Sequence, residues 1–551
     1  MAPVDSDTIF ELKSWMESVG IVWNGDKIEF VGDGPGSLRI LSLDDIQAGQ
    51  LLATIPKDAC ITVHNTEISD ILAEEELGGG LGLVIAVWFE KQVGRKSKWA
   101  GYFASCPESE YLPVFWTEDQ LRLLSGTEIE NMAIQDRMDI AEDYDTHVKP
   151  LLQKYPEALG SMKDTSLSSF TQAASLVASR AFAVDEDHGD GMVPLADVFN
   201  HKASVVQLSE DYGIHGASSS SGSEDNGIAS DDVSDGNQAI KITEKQLNLD
   251  SEAGADAQSL PVILDQTEVE FCGLSEANGI TLKLHIAIID DDVNDSLQII
   301  ASSPVKKNCE IYNTYGELGN AELVKKYGFC LAENPFTKVS LCKDKHLLEQ
   351  IERWFNDTQK RENKKPKLEA TVSNTRRKLD SIIDSIKDQT ELLNNNGEEP
   401  FYLYPQGHIN ISLYVFIFLI IYGARNDSLS VDEALKEDFI EVALQKTTPI
   451  QLEKAISDFE SFSHNLDNES DSSQVKGLKV RDMVKEFLVP VILQRLSRYQ
   501  NAPGNSSQIG SAKASTHDDA MVAFTAAVTL KSSEMQILRH FLESLGVRSC
   551  P

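Results

Sequence analysis

The sequence predicts an α+β fold, in which a β-rich region is divided by a long helical insert and followed by a helical region. Short segments of apolar and β-branched residues, broken by glycines, lie between residues 27 and 63, and strand character returns at 298–301. From about 65 to 185 the apolar residues recur at helical spacing. Because 551 residues exceed one ordinary domain, we expect a first region over 1–345 and an all-α domain over 346–551.

Individual elements follow from local patterns. Residues 8–20 place Ile9, Leu12, Trp15 and Met16 on one stripe of an amphipathic helix. The expected strands cover residues 28–31, 37–41, 51–55, 298–301 and 310–312. The other expected helices cover residues 81–92, 170–182, 350–360, 375–393, 413–422, 431–444, 449–462, 480–499 and 532–545.

The charge of the chain restricts its partners. The formal net charge is −38, from 49 basic and 87 acidic side chains. Such a surface repels phosphate backbones, so we expect no direct binding of nucleic acid. It attracts basic proteins, although a large negative charge also serves solubility alone. A basic protein substrate is therefore compatible with the composition.

The clearest low-complexity segment covers about residues 207–260. It is rich in Ser, Asp and Glu, with four consecutive serines at 218–221. Such a segment buries too little apolar surface to offset the entropy of ordering it, so we predict an acidic disordered loop. Either it is a tolerated surface insertion, or it helps to attract a basic substrate.

Cysteines and apolar segments bear on location and on metal binding. The seven cysteines include no C-x-x-C pair, which favours a reducing compartment and argues against a structural metal site. The acidic N-terminus lacks the character of a signal or transit peptide. The longest apolar stretch, 411–422, is much shorter than the roughly 20 residues that span a bilayer. We expect a monomeric protein of the cytoplasm or nucleus, or both, with no membrane contact.

Two motifs carry the strongest functional signal. Asn200-His201 closes the run Met192 to His201, and Tyr315-Gly316 opens a second run that ends in Tyr-Gly-Phe329. Together they resemble the two signature motifs of SET-domain methyltransferases. The match is closest to the branch that contains the Rubisco large-subunit and ribosomal-protein lysine methyltransferases. It covers roughly the first 345 residues well and the helical remainder more loosely.

The resemblance implies a fold and a cofactor. The fold would be a split SET β-fold with a helical insert, closed by a knot-like segment and followed by a helical substrate-binding domain. The cofactor would be S-adenosyl-L-methionine. Its binding residues would be Gly34, Pro35, Gly36, Arg180, Asn200, His201 and Phe329. Taken alone, the glycine segment favours a plain turn, and the alternative for Arg180 is an ordinary surface arginine.

The resemblance also implies how a lysine is methylated. Tyr315 would be the catalytic residue and would contact substrate together with Arg180, Asp197 and Tyr327, although Asp197 also suits a structural capping role. Free lysine has a pKa of about 10.4, whereas methyl transfer needs the neutral amine. A dry channel of Tyr315, Tyr327 and Phe329 would lower that pKa, because desolvation penalises the ammonium form.

The predicted activity is methylation of a lysine in a non-histone protein, with a ribosomal protein as the first choice. Many SET enzymes that act on histones carry a cysteine-rich zinc cluster after the Tyr-Gly motif, and none follows Phe329. Two alternatives stay open. One is the same fold acting on a histone lysine or on a histidine, as in actin methylation. The other is a catalytically silent peptide-binding adaptor.

Overall fold

The computed structural model describes residues 6–32, 37–202, 206–208, 280–282, 285–341, 401–411, 413–415, 417–418, 421, 449–469, 479–500 and 517–547. Gly34, Pro35 and Gly36, nearly all of the predicted acidic loop, and the helices predicted at 350–360, 375–393 and 431–444 lie outside these residues. The chain divides into two compact units. The first unit is Met1–Asn65, Gly101–Cys106 and Phe182–Thr314, and the second is Thr66–Ala100, Pro107–Ala181 and Tyr315–Pro551. The predicted division at residue 345 stays a prediction.

The described helices and strands fall into separate runs along the chain, as is typical of an α+β protein. The helices are α1 Ser6–Ser18, α2 Ser69–Glu74, α3 Gly79–Val93, α4 Ala100–Ser105, α5 Glu118–Arg122, α6 Met132–Asp143, α7 Lys149–Lys154, α8 Pro156–Leu159, α9 Leu167–Arg180, α10 Asn320–Tyr327, α11 Leu452–Glu469, α12 Val480–Gln500 and α13 His517–Ser544. The strands are β1 Val22–Trp23, β2 Ile28–Gly32, β3 Leu38–Ser42, β4 Leu51–Pro56, β5 Ala181–Asp185, β6 Gly189–Met192, β7 Val206–Leu208, β8 Ile280–Leu282, β9 Ile286–Asp291, β10 Ser296–Ala301, β11 Val339–Ser340, β12 Tyr402–Tyr404, β13 His408–Ile409 and β14 Ile450–Gln451.

The first unit is built on an antiparallel sheet with the strand order β1-β4-β10-β9. Its central pair joins β4 to β10, with Ile55 opposite Leu297. Both side chains are buried, and alternate residues of β10 point to the core, as expected of strands with one covered face. The hairpin of β2 and β3 adds Phe30 and Ile40 to the same core. The predicted strands at 28–31, 37–41, 51–55 and 298–301 are all present.

Isolated bridges attach the two motif segments to this unit. Ile61 pairs with Met192, where the first motif run begins, and His201 pairs in parallel with Asn313. Residues 310–312 form no regular strand, and Glu310 instead makes a single antiparallel bridge with Leu41. The first unit therefore holds the Asn-His pair next to the segment that leads into the second motif.

In the second unit, the helical insert is organised by α3 and α9. Helix α3 is apolar on nearly all sides, which is typical of a helix buried all round. Trp88 of α3 packs edge-on against Phe170 of α9 at 5.5 Å between ring centroids. The indole of Trp88 also donates to the Ser169 hydroxyl at 2.9 Å, so its buried polar atom has a partner.

The C-terminal part of the second unit packs α11, α12 and α13 around a separate apolar core, with Phe459, Phe487 and Phe541 among its fully buried side chains. Helices predicted at 480–499 and 532–545 correspond to α12 and to the end of α13. A short antiparallel sheet, β11-β12-β13-β14, accompanies these helices in addition to the elements that the sequence predicts. Among the residues that the structure describes, no helix combines the length and the apolar character that crossing a membrane requires.

Candidate functional site

The first motif run ends in a strained turn. Leu195 has φ +74° and ψ −43°, a region that residues with a side chain seldom occupy. The Leu195 side chain is fully buried, and a short 3₁₀ turn, Ala196–Val198, follows it. Packing therefore holds the backbone in a costly conformation just before Asn200, and such strain concentrates at functional sites.

The side-chain amide of Asn200 is fixed by a carboxylate. Asn200 Nδ2 donates to Glu310 Oε1 at 2.8 Å. The Tyr312 hydroxyl donates to the other carboxylate oxygen at 3.0 Å, and Arg39 Nη1 lies 3.9 Å from that oxygen. The backbone of Asn200 is also held, because its carbonyl accepts from Asn313 N at 2.9 Å. Both the main chain and the side chain of Asn200 are thus restrained by residues 310–313.

His201 is buried and neutral. Its side chain lies in the interior of the first unit, and burial lowers the pKa of His201 to about 4. The backbone bridge with Asn313 continues at the next residue, where Lys202 N donates to Asn313 O at 3.1 Å. An uncharged imidazole at neutral pH does not repel a cationic group brought beside it.

Asp197 receives a hydrogen bond from a buried tyrosine. The Tyr102 hydroxyl donates to Asp197 Oδ2 at 2.7 Å, and the Tyr102 ring is itself almost fully buried beside Trp15. Tyr102 is supplied by α4, in a short piece of the helical insert that belongs to the first unit. The contact fixes the carboxylate of Asp197 from the side of the insert.

The aromatic residues of the second motif lie together in the second unit. The rings of Tyr315 and Tyr327 stack with centroids 4.4 Å apart and planes 28° from parallel. Phe329 continues the group, with its centroid 6.2 Å from that of Tyr327. Burial raises the pKa of Tyr327, which indicates that water is partly excluded around these rings.

Helix α10 and two glycines shape this aromatic group. Gly316 and Gly328 have φ +101° and +77°, and Gly328 ends α10 in the left-handed conformation. At the start of the helix, the buried Asn320 amide donates to Leu331 O at 2.9 Å and accepts from Leu331 N at 3.1 Å. The start of the helix is therefore tied to Leu331, and its C-terminal residue is Tyr327 itself.

Arg180 ends α9 in an ion pair. Its Nε donates to Glu110 Oε1 at 2.6 Å, and both side chains are largely buried. Next to it, the Ser179 hydroxyl donates to the carbonyl of Lys326, the residue before Tyr327. Residue Arg180 is thereby brought close to the aromatic group, and Glu110 is a partner that the sequence did not suggest.

Comparisons with known proteins identify similar sequences and a shared fold. No family model matches the chain. It is 24% identical over 324 residues to a protein named ribosomal lysine N-methyltransferase 4 of Schizosaccharomyces pombe, covering 57% of this chain and 65% of that protein. It is 32% identical over 211 residues to N-lysine methyltransferase setd6 of Xenopus laevis, covering 34% of this chain and 46% of that protein. The chain thus spans less than two thirds of the length of these relatives.

A solved structure extends the match over nearly the whole chain. The SET domain of LSMT bound to lysine and AdoHcy superposes with a TM-score of 0.51, covering 98% of this chain and 91% of that chain at 14% identity. Other matching structures are of Rubisco LSMT. The chain has the fold of the LSMT SET domain.

The expected site residues of this chain fall into two groups. Asp197, Asn200 and His201 belong to the first unit, and Arg180, Tyr315, Tyr327 and Phe329 to the second. Asn313, which bridges to His201, precedes Tyr315 by two residues in the chain. The roles of these residues, and those of Gly34, Pro35 and Gly36, stay predictions.

Three polar residues at the site were missed by the sequence reasoning. Glu310, Glu110 and Tyr102 contact Asn200, Arg180 and Asp197 respectively. None belongs to either motif, and a lone carboxylate or tyrosine carries no local signal in the sequence. Only the pairing of distant segments identifies them.

Proposed function

We propose that this SET-domain protein is an S-adenosyl-L-methionine-dependent N-methyltransferase that acts on a lysine of a non-histone protein. Its similarity to lysine methyltransferases, one of them named a ribosomal lysine N-methyltransferase, supports this activity and favours a ribosomal protein as substrate. The shared fold and the intact Asn200, His201 and Tyr315 support it independently.

The residues of the first unit fit the proposed cofactor. Asn200 presents a fixed amide, and His201 is neutral, so neither opposes a sulfonium cation. When bound, the cofactor supplies an electrophilic methyl group on positively charged sulfur. Asn200 and His201 would hold it by side chain and backbone, and Arg180 would bind a carboxylate through charge-assisted hydrogen bonds. We assign further contacts to Gly34, Pro35, Gly36 and Phe329.

The stack of Tyr315 and Tyr327 is the observation that carries the proposal. The burial that raises the pKa of Tyr327 disfavours charge at this place, so it would also lower the pKa of an entering lysine ammonium. The amine would lose its proton to water, and the aromatic faces would stabilise the positive charge that forms on the nitrogen as it takes the methyl group. Tyr315, the assigned catalytic residue, would then orient the neutral amine, while Tyr327, Asp197 and Arg180 contact the substrate.

The net charge of the protein bears on the partners that it can bind. With a net charge of −38, the protein suits a basic substrate, and we propose that it binds no nucleic acid directly. We propose that it acts as a monomer in the cytoplasm or nucleus, without a membrane partner.

The test is transfer of tritiated methyl groups to fractionated cytosol, followed by peptide mapping by mass spectrometry. We expect label on lysine of a basic protein, and labelling slower by more than about tenfold with the Tyr315→Phe variant. Label on histidine, with none on lysine, would instead support the histidine-methylating alternative. Calorimetry distinguishes the methyltransferase from a catalytically silent peptide-binding adaptor. If the purified protein releases no heat with S-adenosylmethionine, the adaptor is favoured.

A further inference from the structure

Glu310 stands out among the polar groups that the proposed activity leaves without a role. It lies in the segment that precedes the second motif, and its side chain is 15% exposed. One carboxylate oxygen accepts from Asn200 Nδ2 at 2.8 Å, and the other accepts from the Tyr312 hydroxyl at 3.0 Å. The backbone bridge with Leu41 fixes the residue itself.

The carboxylate decides which way the Asn200 amide faces. An ionised carboxylate can only accept hydrogen bonds, whereas an amide has a donating and an accepting end. Glu310 therefore selects the orientation in which Nδ2 faces it, and Oδ1 points away from it. A neutral neighbour such as serine would permit both orientations. The Arg39 guanidinium lies 3.9 Å from the second oxygen.

We propose that Glu310 is a positioning residue, which holds the Asn200 amide so that its oxygen accepts a hydrogen bond from the ammonium group of the cofactor. The amino-acid end of S-adenosylmethionine carries an ammonium that only donates and a carboxylate that only accepts. An amide oxygen can therefore pair only with the ammonium. This inference rests on the proposed function and adds the residue that sets the polarity of the Asn200 contact.

The test compares two ligands in the same variants by calorimetry. S-Adenosylhomocysteine has the amino-acid end, and methylthioadenosine lacks it. We expect Glu310→Ala to lower the affinity for S-adenosylhomocysteine by about tenfold or more, equivalent to about 1.4 kcal/mol of binding free energy. The affinity for methylthioadenosine should stay within about threefold of the wild-type value, because this ligand has no ammonium group to make the contact.

Three further variants separate positioning from a structural role. Glu310→Met fills the same space without an acceptor, so it should show the same selective loss of affinity for S-adenosylhomocysteine. It takes the place of the alanine variant if Glu310→Ala does not fold. Glu310→Gln keeps an acceptor and should restore binding to within about threefold of the wild type. Tyr312→Phe removes the other hydrogen bond of Glu310 and should leave both affinities nearly unchanged.

The outcomes distinguish this assignment from the proposed function. Equal weakening of both ligands, or normal binding of S-adenosylhomocysteine by the alanine and methionine variants, overturns the role of Glu310 alone. A wild-type protein that binds neither ligand overturns the methyltransferase proposal, and the assignment to Glu310 with it.

Discussion

At the scale of single residues, removing the hydroxyl of Tyr315 distinguishes a catalytic role of this residue from a packing role. Phenylalanine keeps the ring that stacks on Tyr327 at 4.4 Å but lacks the polar atom assigned to orient the amine. We expect Tyr315→Phe to lower turnover by more than about tenfold, or about 1.4 kcal/mol of barrier. Affinity for S-adenosylhomocysteine, measured by calorimetry, should hardly change.

The control for this prediction is Tyr155→Phe. Tyr155 lies in the insert, where its hydroxyl donates to Glu75, and it belongs to neither motif. Turnover of that variant should equal the wild type. Full turnover by Tyr315→Phe as well would leave Tyr315 a packing residue.

Gly328 is a second residue whose identity is set by geometry. Its φ is +77°, and an added Cβ would lie 2.8 Å from the Tyr111 carbonyl oxygen. We expect Gly328→Ala to lower the free energy of unfolding by about 1–3 kcal/mol, because both the backbone and the neighbour must shift. Urea unfolding measures this loss.

Gly80→Ala is the matched substitution, since nothing lies within 4 Å of its added Cβ. It sits in the first turn of α3, where alanine favours the helix. Its stability should be equal to or slightly above that of the wild type. If both variants lost the same stability, the close approach to Tyr111 would not be the cause.

The sequence identified chemical types at the site better than it identified contacts. The motif that contains Tyr315, Tyr327 and Phe329 predicted an aromatic group, and the three rings do lie together. Glu310 and Tyr102 could not be predicted as partners of Asn200 and Asp197, because a contact over about a hundred residues leaves no trace in local periodicity. The fold, not the motif, brings these partners together.

At the scale of elements, a buried ionic cluster joins α12 and α13 to the insert within the second unit. Arg495 of α12 is fully buried and lies 2.7 Å from Glu128 and 3.8 Å from Glu534 of α13. The Tyr499 hydroxyl donates to Glu534 at 2.6 Å. Two carboxylates share one guanidinium, so the cluster carries an excess negative charge when both are ionised.

This cluster predicts that stability depends on pH. Burial, and then the charge of Glu128, raise the pKa of Glu534 to about 7 from its ordinary value of 4.5. The folded protein therefore holds this proton more tightly than the unfolded chain does. The free energy of unfolding should fall as the pH rises from about 4.5 to about 7, by at most about 3 kcal/mol.

Urea titrations at pH 5 and pH 8 test the contribution of Glu534. Glu534→Gln resembles the protonated acid, so its loss of stability between these pH values should be smaller than that of the wild type. An unchanged difference between the two pH values would show that another group titrates. Glu453→Gln serves as a control, since its carboxylate forms an ion pair on the protein surface.

Long elements were predictable and short ones were not. Helices α3, α9 and α12 cover enough turns for the spacing of apolar residues to be recognised, and their bounds lie within a few residues of the predictions. Strands β11, β13 and β14 contain two residues each, which is too short for any period. Strand β11 pairs with β12, and β13 with β14, and each of these pairs joins segments that are far apart in the chain.

At the scale of the whole molecule, the acidic segment interrupts a strand pair. Strands β7 and β8 are antiparallel, with Leu208 opposite Ile280, so the two ends of the intervening chain emerge side by side. A shorter connection costs less closure entropy. We expect deletion of residues 210–260 to change the melting temperature by less than about 4 °C.

Kinetics of the same deletion variant address the role of its charge. If the segment is only a tolerated insertion, KM for a basic substrate should not change. A KM of the variant above that of the wild type at low salt, with no difference between the two proteins at high salt, would instead show that the segment attracts substrate. A collapse of the melting temperature would contradict the predicted loop.

The pairing of β4 with β10 governs when the first unit can form. The central strands Leu51–Pro56 and Ser296–Ala301 are neighbours in space but are separated by roughly 240 residues of chain. At about 5–20 residues per second, translation of that interval takes about 10 to 50 s. During this delay β10 has not been synthesised, so the apolar residues of the nascent β4 lack the strand that they pair with in the folded protein. We therefore expect newly made chains to depend on chaperones until the tenth strand leaves the ribosome.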